Sequence, residues 1–250
     1  MTWHGWGITD RGLVRKINQD AFRLYPELNL WVVADGMGGH AGGEVASQLA
    51  IDTIGRYVNQ HHTQISSFKS EDRETVLRGA LEATNRAIRN HAREQTEYSR
   101  MGTTAVILYI SDEATAQATI AHVGDSRAYL IQEHGMTQLM RDHTLVEERI
   151  ELGLLTREEA PTHPLRNVLT RGLGIESTVE PSVCTHSLKP SDIILLCSDG
   201  LTKMMNDEGI FNVIRQHNHS LKEASQQLVD TANRLGGEDN VTVVLVGAET

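Results

Sequence analysis

The sequence predicts an α+β domain in which antiparallel sheets are covered by helices. Three observations carry that expectation. Short apolar runs of β type recur along the chain, helical periodicities are interleaved with them, and between residues 103 and 140 the runs are too close for parallel crossovers. In order, residues 28–34 read as a first strand, and 44–62 as a helix with Ala46, Leu49, Ala50, Ile54, Tyr57 and Val58 on one face. Leu77, Ala80, Leu81, Thr84, Ile88 and His91 line one face of a second helix over 74–93. Strands at 103–110, 115–123 and 127–133 follow, joined by Ser111-Asp112-Glu113 and Glu133-His134-Gly135 as a meander reaching Met140. Capping boxes at Thr144/Glu147 and Thr156/Glu159 predict two short helices within a strandless excursion over 142–170. A strand at 192–197 precedes a helix that opens at the Ser220/Glu223 box, carries Leu221, Ala224, Leu228, Ala232 and Leu235, and ends at Gly236. A last strand occupies 241–247.

Composition narrows the class. With 250 residues, 39% hydrophobic and 22% charged, and with no linker or repeat, residues 1–250 read as one domain around one core. No apolar run approaches the ~18 residues that span a bilayer, and Met1-Thr2-Trp3-His4-Gly5 lacks the basic-then-apolar pattern of a secretory signal. Cys184 and Cys197 cannot build a disulfide framework, and Cys197 lies in an apolar run as a buried thiol would, so a reducing cytoplasm is expected. The net charge of −10 argues against nucleic acid as a partner. It also opposes an anionic substrate unless something local reverses the field.

Aspartates recur where strands begin or end. Asp35-Gly36 follows Trp31-Val32-Val33-Ala34, Asp199-Gly200 follows Ile194-Leu195-Leu196-Cys197-Ser198, and Asp125 follows Ala121-His122-Val123-Gly124. Asp239 precedes Val241, and Asp20 closes the polar string Arg15-Lys16-Ile17-Asn18-Gln19. Taken singly, each reads as a turn residue. Clustered in space, four carboxylates would repel unless cations lay between them, and oxygen donors of this kind select magnesium or manganese over zinc or copper. No H-E-x-x-H or C-x-x-C offers a zinc site among the twelve histidines and two cysteines.

The loop Asp35-Gly36-Met37-Gly38-Gly39-His40-Ala41-Gly42-Gly43 joins a strand to a helix but lacks the Gly-Lys-Ser/Thr of a P-loop. A dinucleotide reading fails for want of a second parallel strand after the helix. Pro190 and Lys203 stand where a C-x₅-R phosphate loop needs arginine, and no G-x-S-x-G is present. Metal-activated water is the enzymatic option left, with glycines allowing close approach to the backbone.

Eight pieces, in order and spanning the chain, resemble the PP2C-type (PPM) metal-dependent protein serine/threonine phosphatases, in particular their compact bacterial members. They are Arg15-Lys16-Ile17-Asn18-Gln19-Asp20, Val33 to Glu44, Met101-Gly102-Thr103-Thr104, Val123-Gly124-Asp125-Ser126-Arg127, Arg141-Asp142-His143-Thr144, His163-Pro164 with Asn167 to Arg171, Ser198-Asp199-Gly200-Leu201 and Asp239-Asn240-Val241-Thr242. The resemblance implies a β-sandwich of two antiparallel sheets flanked by helices on both sides, with a dinuclear Mn²⁺ or Mg²⁺ centre. It implies that Asp35 bridges both ions, that the Gly36 carbonyl binds one, and that Asp199 and Asp239 hold the other. Asp125, with Asp199, would hold a third, weaker ion. Asp20 would orient waters, Arg15 would bind the substrate phosphate, His40 would protonate the leaving oxygen, and 142–171 would be a flap beside the site. The implied reaction is hydrolysis of phosphoserine and phosphothreonine in proteins by direct attack of a metal-bridging hydroxide, without a phosphoenzyme, in a monomer that needs neither nucleic acid nor membrane. Gln19 stands where many members carry glutamate. A phosphodiesterase using the same ions and a non-catalytic relative of the same fold remain alternatives, although every metal aspartate is present.

Overall fold

A strand whose successive residues are all apolar needs both faces of its sheet covered. A computed structural model of the chain, which describes residues 2–38, 42–66, 69–111 and 115–249, covers both. Its elements are β1 (Trp3–Asp10), β2 (Asp20–Tyr25), β3 (Leu30–Met37), α1 (Gly42–Gln60), α2 (His62–Ile65), α3 (Ser70–Glu94), β4 (Gly102–Thr103), β5 (Ala105–Ile110) and β6 (Gln117–Val123). They continue with β7 (Arg127–Gln132), β8 (Gly135–Gln138), α4 (Leu145–Glu151), β9 (Ser182–Ser187), β10 (Ile193–Cys197), α5 (Asp199–Thr202), α6 (Asp207–Gln216), α7 (Leu221–Arg234) and β11 (Val241–Ala248). One sheet has the order β1-β11-β10-β7-β8 and the other β2-β3-β5-β6-β9, with β4 paired to β3. Every pairing is antiparallel.

Alternation along the strands divides the apolar side chains among three interfaces. Trp31 and Val33 of β3 meet Val106, Leu108, Ile194, Leu196 and Val244 between the sheets. Leu30, Val32 and Ala34 of the same strand face Ile51 and Ile54 of α1 and Leu77 and Leu81 of α3. On the far side, Leu195, Cys197, Val243 and Leu245 pack on Ile210 of α6 and Leu228 and Ala232 of α7. Four layers result, α–β–β–α, as expected. Each large side chain so buried contributes about 1.5–3 kcal/mol.

The strands that left no apolar run in the sequence lie at the edges. β1, β2 and β9 are edge strands with half-exposed residues, and β8, the fourth edge, is implied only by the short connection before it. The strand expected over 28–34 starts later and runs further. Pro26–Leu28 form a 3-10 turn, and β3 continues through Asp35 and Gly36, paired with Asp20 and Thr103. Thr156 and Glu159 make both bonds of their box, yet only the 3-10 turn Ala160–Thr162 follows, so the second short helix is replaced by a turn. The first box does open α4, where the Thr144 side chain accepts from the Glu147 N–H. Ser220 caps α7 likewise, and Gly236 and Gly237 close it by donating to Asn233 and Ala232 carbonyls, a Schellman pattern. α6, not anticipated, is capped by Asn206, whose side chain accepts from the Gly209 N–H.

Between β8 and β9 the chain leaves both sheets. Its base is held by the Leu145 N–H on the Val168 carbonyl and the Thr170 N–H on the His143 carbonyl, each at 2.9 Å. Leu173 then pairs with Thr103 beside Gly36, which returns the excursion to the rim where β3 ends. Among the described residues, no helix is long and apolar enough to cross a membrane.

Candidate active site

Antiparallel neighbours bring the ends of β3, β6 and β10 to the same rim as the starts of β2, β7 and β11. Asp20 opens β2 directly opposite Asp35. Asp125 lies between β6 and β7, Asp199 opens α5 straight after β10, and Asp239 precedes β11. One clasp joins the two sheets here. Asp20 Oδ2 accepts from Ser198 Oγ and from Thr242 Oγ1, both at 2.7 Å, and Ser198 Oγ accepts from the Thr242 N–H at 3.0 Å. The glycines after Asp35 and Asp199 serve close approach rather than turns. A Cβ on Gly36 would stand 2.0 Å from the Gly43 carbonyl oxygen, and one on Gly200 would stand 2.0 Å from the Asn240 carbonyl oxygen.

His143 secures the turn that carries Asp125. Its N–H donates to the Gly124 carbonyl at 2.9 Å, and its Nδ1 accepts from the Gly124 N–H at 3.2 Å, which leaves Nε2–H to donate to Ser182 Oγ at 2.9 Å. His122 stacks on this ring at 4.3 Å and donates from Nε2 to the Arg141 carbonyl. Burial pushes His122 down to about 4 and His143 down to about 3, so both rings are neutral. For His122 the sign follows from linkage. Between its ordinary 6.5 and about 4 the unfolded chain binds the extra proton, so its contribution is whole above 6.5 and falls as the pH falls. The expected loss on acidification is about 3 kcal/mol. Asp20 and Asp125, pushed up to about 6 and about 7 by burial and neighbouring carboxylates, act in the opposite sense over an overlapping range. The measurement is therefore a difference. Thermal melts of His122→Gln should show a shallower acid decline than the parent chain, and parallel declines would contradict the buried neutral ring.

The carboxylates crowd one another. Burial, followed by Asp20, Asp199, Asp125 and Asp239, pushes Asp35 well above the usual carboxylate range. Burial also raises Asp199, with Lys203 pulling the other way. Burial alone would raise Asp239 too, but Lys203, the Asn240 N–H and Arg15 together hold it below its ordinary value. Two cations make that difference. Lys203 Nζ lies 2.5 Å from Asp199 Oδ2 and 3.0 Å from Asp239 Oδ2, and Arg15 Nη2 lies 2.8 Å from that same Asp239 oxygen. The two carboxylates raise the ammonium's own proton affinity, so the pair is charged.

Among the described residues, no three histidine, cysteine, aspartate or glutamate side chains already stand as a closed metal cage. The residues nonetheless fit hard divalent ions. The donor set is all oxygen, and Asp199 Oδ1 and Asp20 Oδ1 are buried with no hydrogen-bond partner among the described residues. An orphaned buried carboxylate oxygen is costly unless a cation or water meets it.

Arg15 sits in the loop between β1 and β2, half exposed. Asn240 holds that loop, donating from Nδ2 to the Arg11 and Ile17 carbonyls and accepting on Oδ1 from the Gln19 N–H. Gln19 reaches towards the glycine loop, its Nε2 3.4 Å from the Gly38 carbonyl. A cleft of about 870 Å³ beside the site is lined by Arg15, Asp125, Asp199, Lys203 and Asp239 together with Glu147 and Asn167 of the excursion; Asp20 and Asp35 lie behind its lining. Arg127 forks onto Asp142 at 2.7–3.0 Å and ties the excursion's first residue to β7. His40, with Gly39 and Ala41, lies outside the described residues, as do Asp112 and Glu113 of the first meander connection.

The structure thus gathers Arg15, Asp20, Asp35, Gly36, Asp125, Asp199 and Asp239 at one rim. Sequence reasoning missed the groups that position them: Ser198 and Thr242, Asn240, His143 and above all Lys203. Four of these lie inside the quoted motifs without an assigned role. Lys203 had a signal of its own, because it follows Asp199 by four residues, the spacing at which helical side chains meet.

Comparison with known proteins points one way. The family profile described as protein phosphatase 2C matches residues 14–233. The chain is 38% identical over 241 residues to the serine/threonine phosphatase stp of Listeria monocytogenes, covering 95% of this chain and 93% of that one. The crystal structure of the Mycobacterium tuberculosis serine/threonine phosphatase PstP/Ppp superposes with a TM-score of 0.89 at 35% identity, covering all of both chains. A PstP catalytic domain in complex with two manganese ions gives a TM-score of 0.83 at 34% identity, covering 99% of each chain.

Proposed function

The chain belongs to the protein phosphatase 2C family and is a serine/threonine phosphatase, and from that premise we propose that its rim aspartates are the ligands of a divalent-metal centre. Asp35 and the Gly36 carbonyl would hold one ion, Asp35, Asp199 and Asp239 the second, and Asp125 with Asp199 a third. Mn²⁺ and Mg²⁺ both suit these donors, and the solved relative with two manganese ions supports the first. The observation that carries the reading is the crowding itself. Sheltered carboxylates from β2, β3, α5 and the segments before β7 and β11 are held together, two of them with an orphaned buried oxygen, an arrangement that costs stability unless cations balance it.

When bound, the divalent ions would acidify water for attack and neutralise the phosphate's charge, which an acidic chain otherwise repels. The chain's own residues do the rest. Arg15 lines the cleft, and its guanidinium can grip two phosphate oxygens once it leaves Asp239. Asp20, with Oδ2 fixed by Ser198 and Thr242, keeps Oδ1 free to orient water. His40 would protonate the leaving seryl or threonyl oxygen, a step worth roughly 10²–10⁴-fold. The 142–171 excursion, fastened at its base and forming one wall of the cleft, would act as a flap that bears on substrate choice.

The substrates are phosphorylated proteins. A cytoplasmic monomer acting without nucleic acid or membrane is our reading of the rest, supported by the net charge of −10 and the two free cysteines. The test compares phosphoserine, phosphothreonine and phosphotyrosine peptides with and without Mn²⁺. Turnover of the first two should appear with Mn²⁺ and vanish with chelator, and chelator-resistant turnover would remove the metal centre from the mechanism.

A further inference from the structure

Lys203 ends α5 one turn after Asp199, so its side chain folds back over that carboxylate. Its ammonium bridges two elements, touching Asp199 Oδ2 at 2.5 Å and Asp239 Oδ2 at 3.0 Å. The side chain is 29% exposed, and the two carboxylates 16% and 17%, so this is a sheltered contact rather than a solvated surface pair. It puts a unit positive charge against the two aspartates assigned above to one metal position. Arg15 shares the Asp239 oxygen, so four charged side chains, two cationic and two anionic, form one network.

We propose that Lys203 is a built-in competitor for the divalent ion at Asp199 and Asp239, and that it sets the metal affinity of that position. The proposal rests on the reading of those two aspartates as ligands. A single ammonium offsets their mutual repulsion, and it must give up both oxygens before a divalent ion can take them. Lys203 thereby shifts loading to a higher free-metal concentration. Loading is also coupled to substrate capture, because a metal that takes Asp239 Oδ2 releases Arg15 as well as Lys203 into the cleft. Lysine suits the role better than arginine would, being a compact charge on a flexible stem that can withdraw along the cleft wall.

The experiment is calorimetric titration of Mn²⁺ into the chelator-stripped full chain and its variants. Lys203→Gln and Lys203→Met should bind Mn²⁺ about tenfold more tightly than the parent, and Lys203→Arg should keep the weaker binding. Stripped Lys203→Gln should melt below the parent, because Asp199 and Asp239 lose their counter-charge, and it should gain more from saturating Mn²⁺. Equal or weaker Mn²⁺ binding by both uncharged variants would overturn the proposal and leave Lys203 a structural partner. Asp199→Asn separates the two claims. If it binds Mn²⁺ as the parent does, or if the parent binds none, the ligand reading itself falls.

Discussion

Asp35→Ala is expected to lower Mn²⁺-supported hydrolysis of a phosphothreonine peptide by about 10³-fold, or ~4 kcal/mol of transition-state stabilisation. The size follows from position. Asp20, Asp125, Asp199 and Asp239 all press on Asp35, so under the proposed assignment its loss removes the carboxylate the others surround rather than one arm. A structural role and a functional role predict opposite stabilities. If Asp35 held the fold, replacing it would lower the melting temperature of the metal-stripped chain. If it is there for cations, the near-isosteric Asp35→Asn should raise that temperature, since the repulsion disappears, while activity still collapses. Enzyme assay and thermal melt on the same preparation decide it, and an Asp35→Ala chain with near-parent turnover would refute the assignment.

Gly200→Ala should cost about 3 kcal/mol of stability and about 100-fold in activity. An added methyl at this position meets the Asn240 carbonyl oxygen at 2.0 Å, a backbone atom that cannot rotate away as a side-chain tip would. Relief requires α5 and the segment before β11 to separate. Those two segments carry Asp199 and Asp239, and Asn240 also holds the loop of Arg15, so the displacement reaches three site residues at once. The backbone at Gly200 is outside the left-handed region, so alanine is conformationally permitted there and the penalty is contact alone. The melting temperature should fall by about 10 °C for a chain of this size. Parent-like stability would mean that the glycine serves only the turn that its Asp-Gly sequence suggests.

The interior strands were legible because burial on both faces leaves no room for polar residues. β3, β5, β6, β7, β10 and β11 each have a neighbour on either side and a layer above and below. β1, β2 and β9 have open edges, so sequences such as Asp-Ala-Phe-Arg-Leu-Tyr satisfy them without an apolar run. The aspartates were legible for a related reason. Motif order along the chain survives in sequence, and Asp35, Asp199 and Asp239 could be named from it before their distances were known.

Composition and motif order were enough for the layered α+β class, the family and the recurrence of aspartates at strand ends, because each is written locally along the chain. Which oxygens are already taken depends on the three-dimensional packing. Asp20 Oδ2 belongs to Ser198 and Thr242, Asp239 Oδ2 to Arg15 and Lys203, and Asp199 Oδ1 and Asp20 Oδ1 to no group among the described residues. A hydrogen bond or ion pair acts over about 3 Å, and partners up to 224 positions apart reach that range only when the fold sets β1 beside β11 and brings β2 and β10 to the same rim.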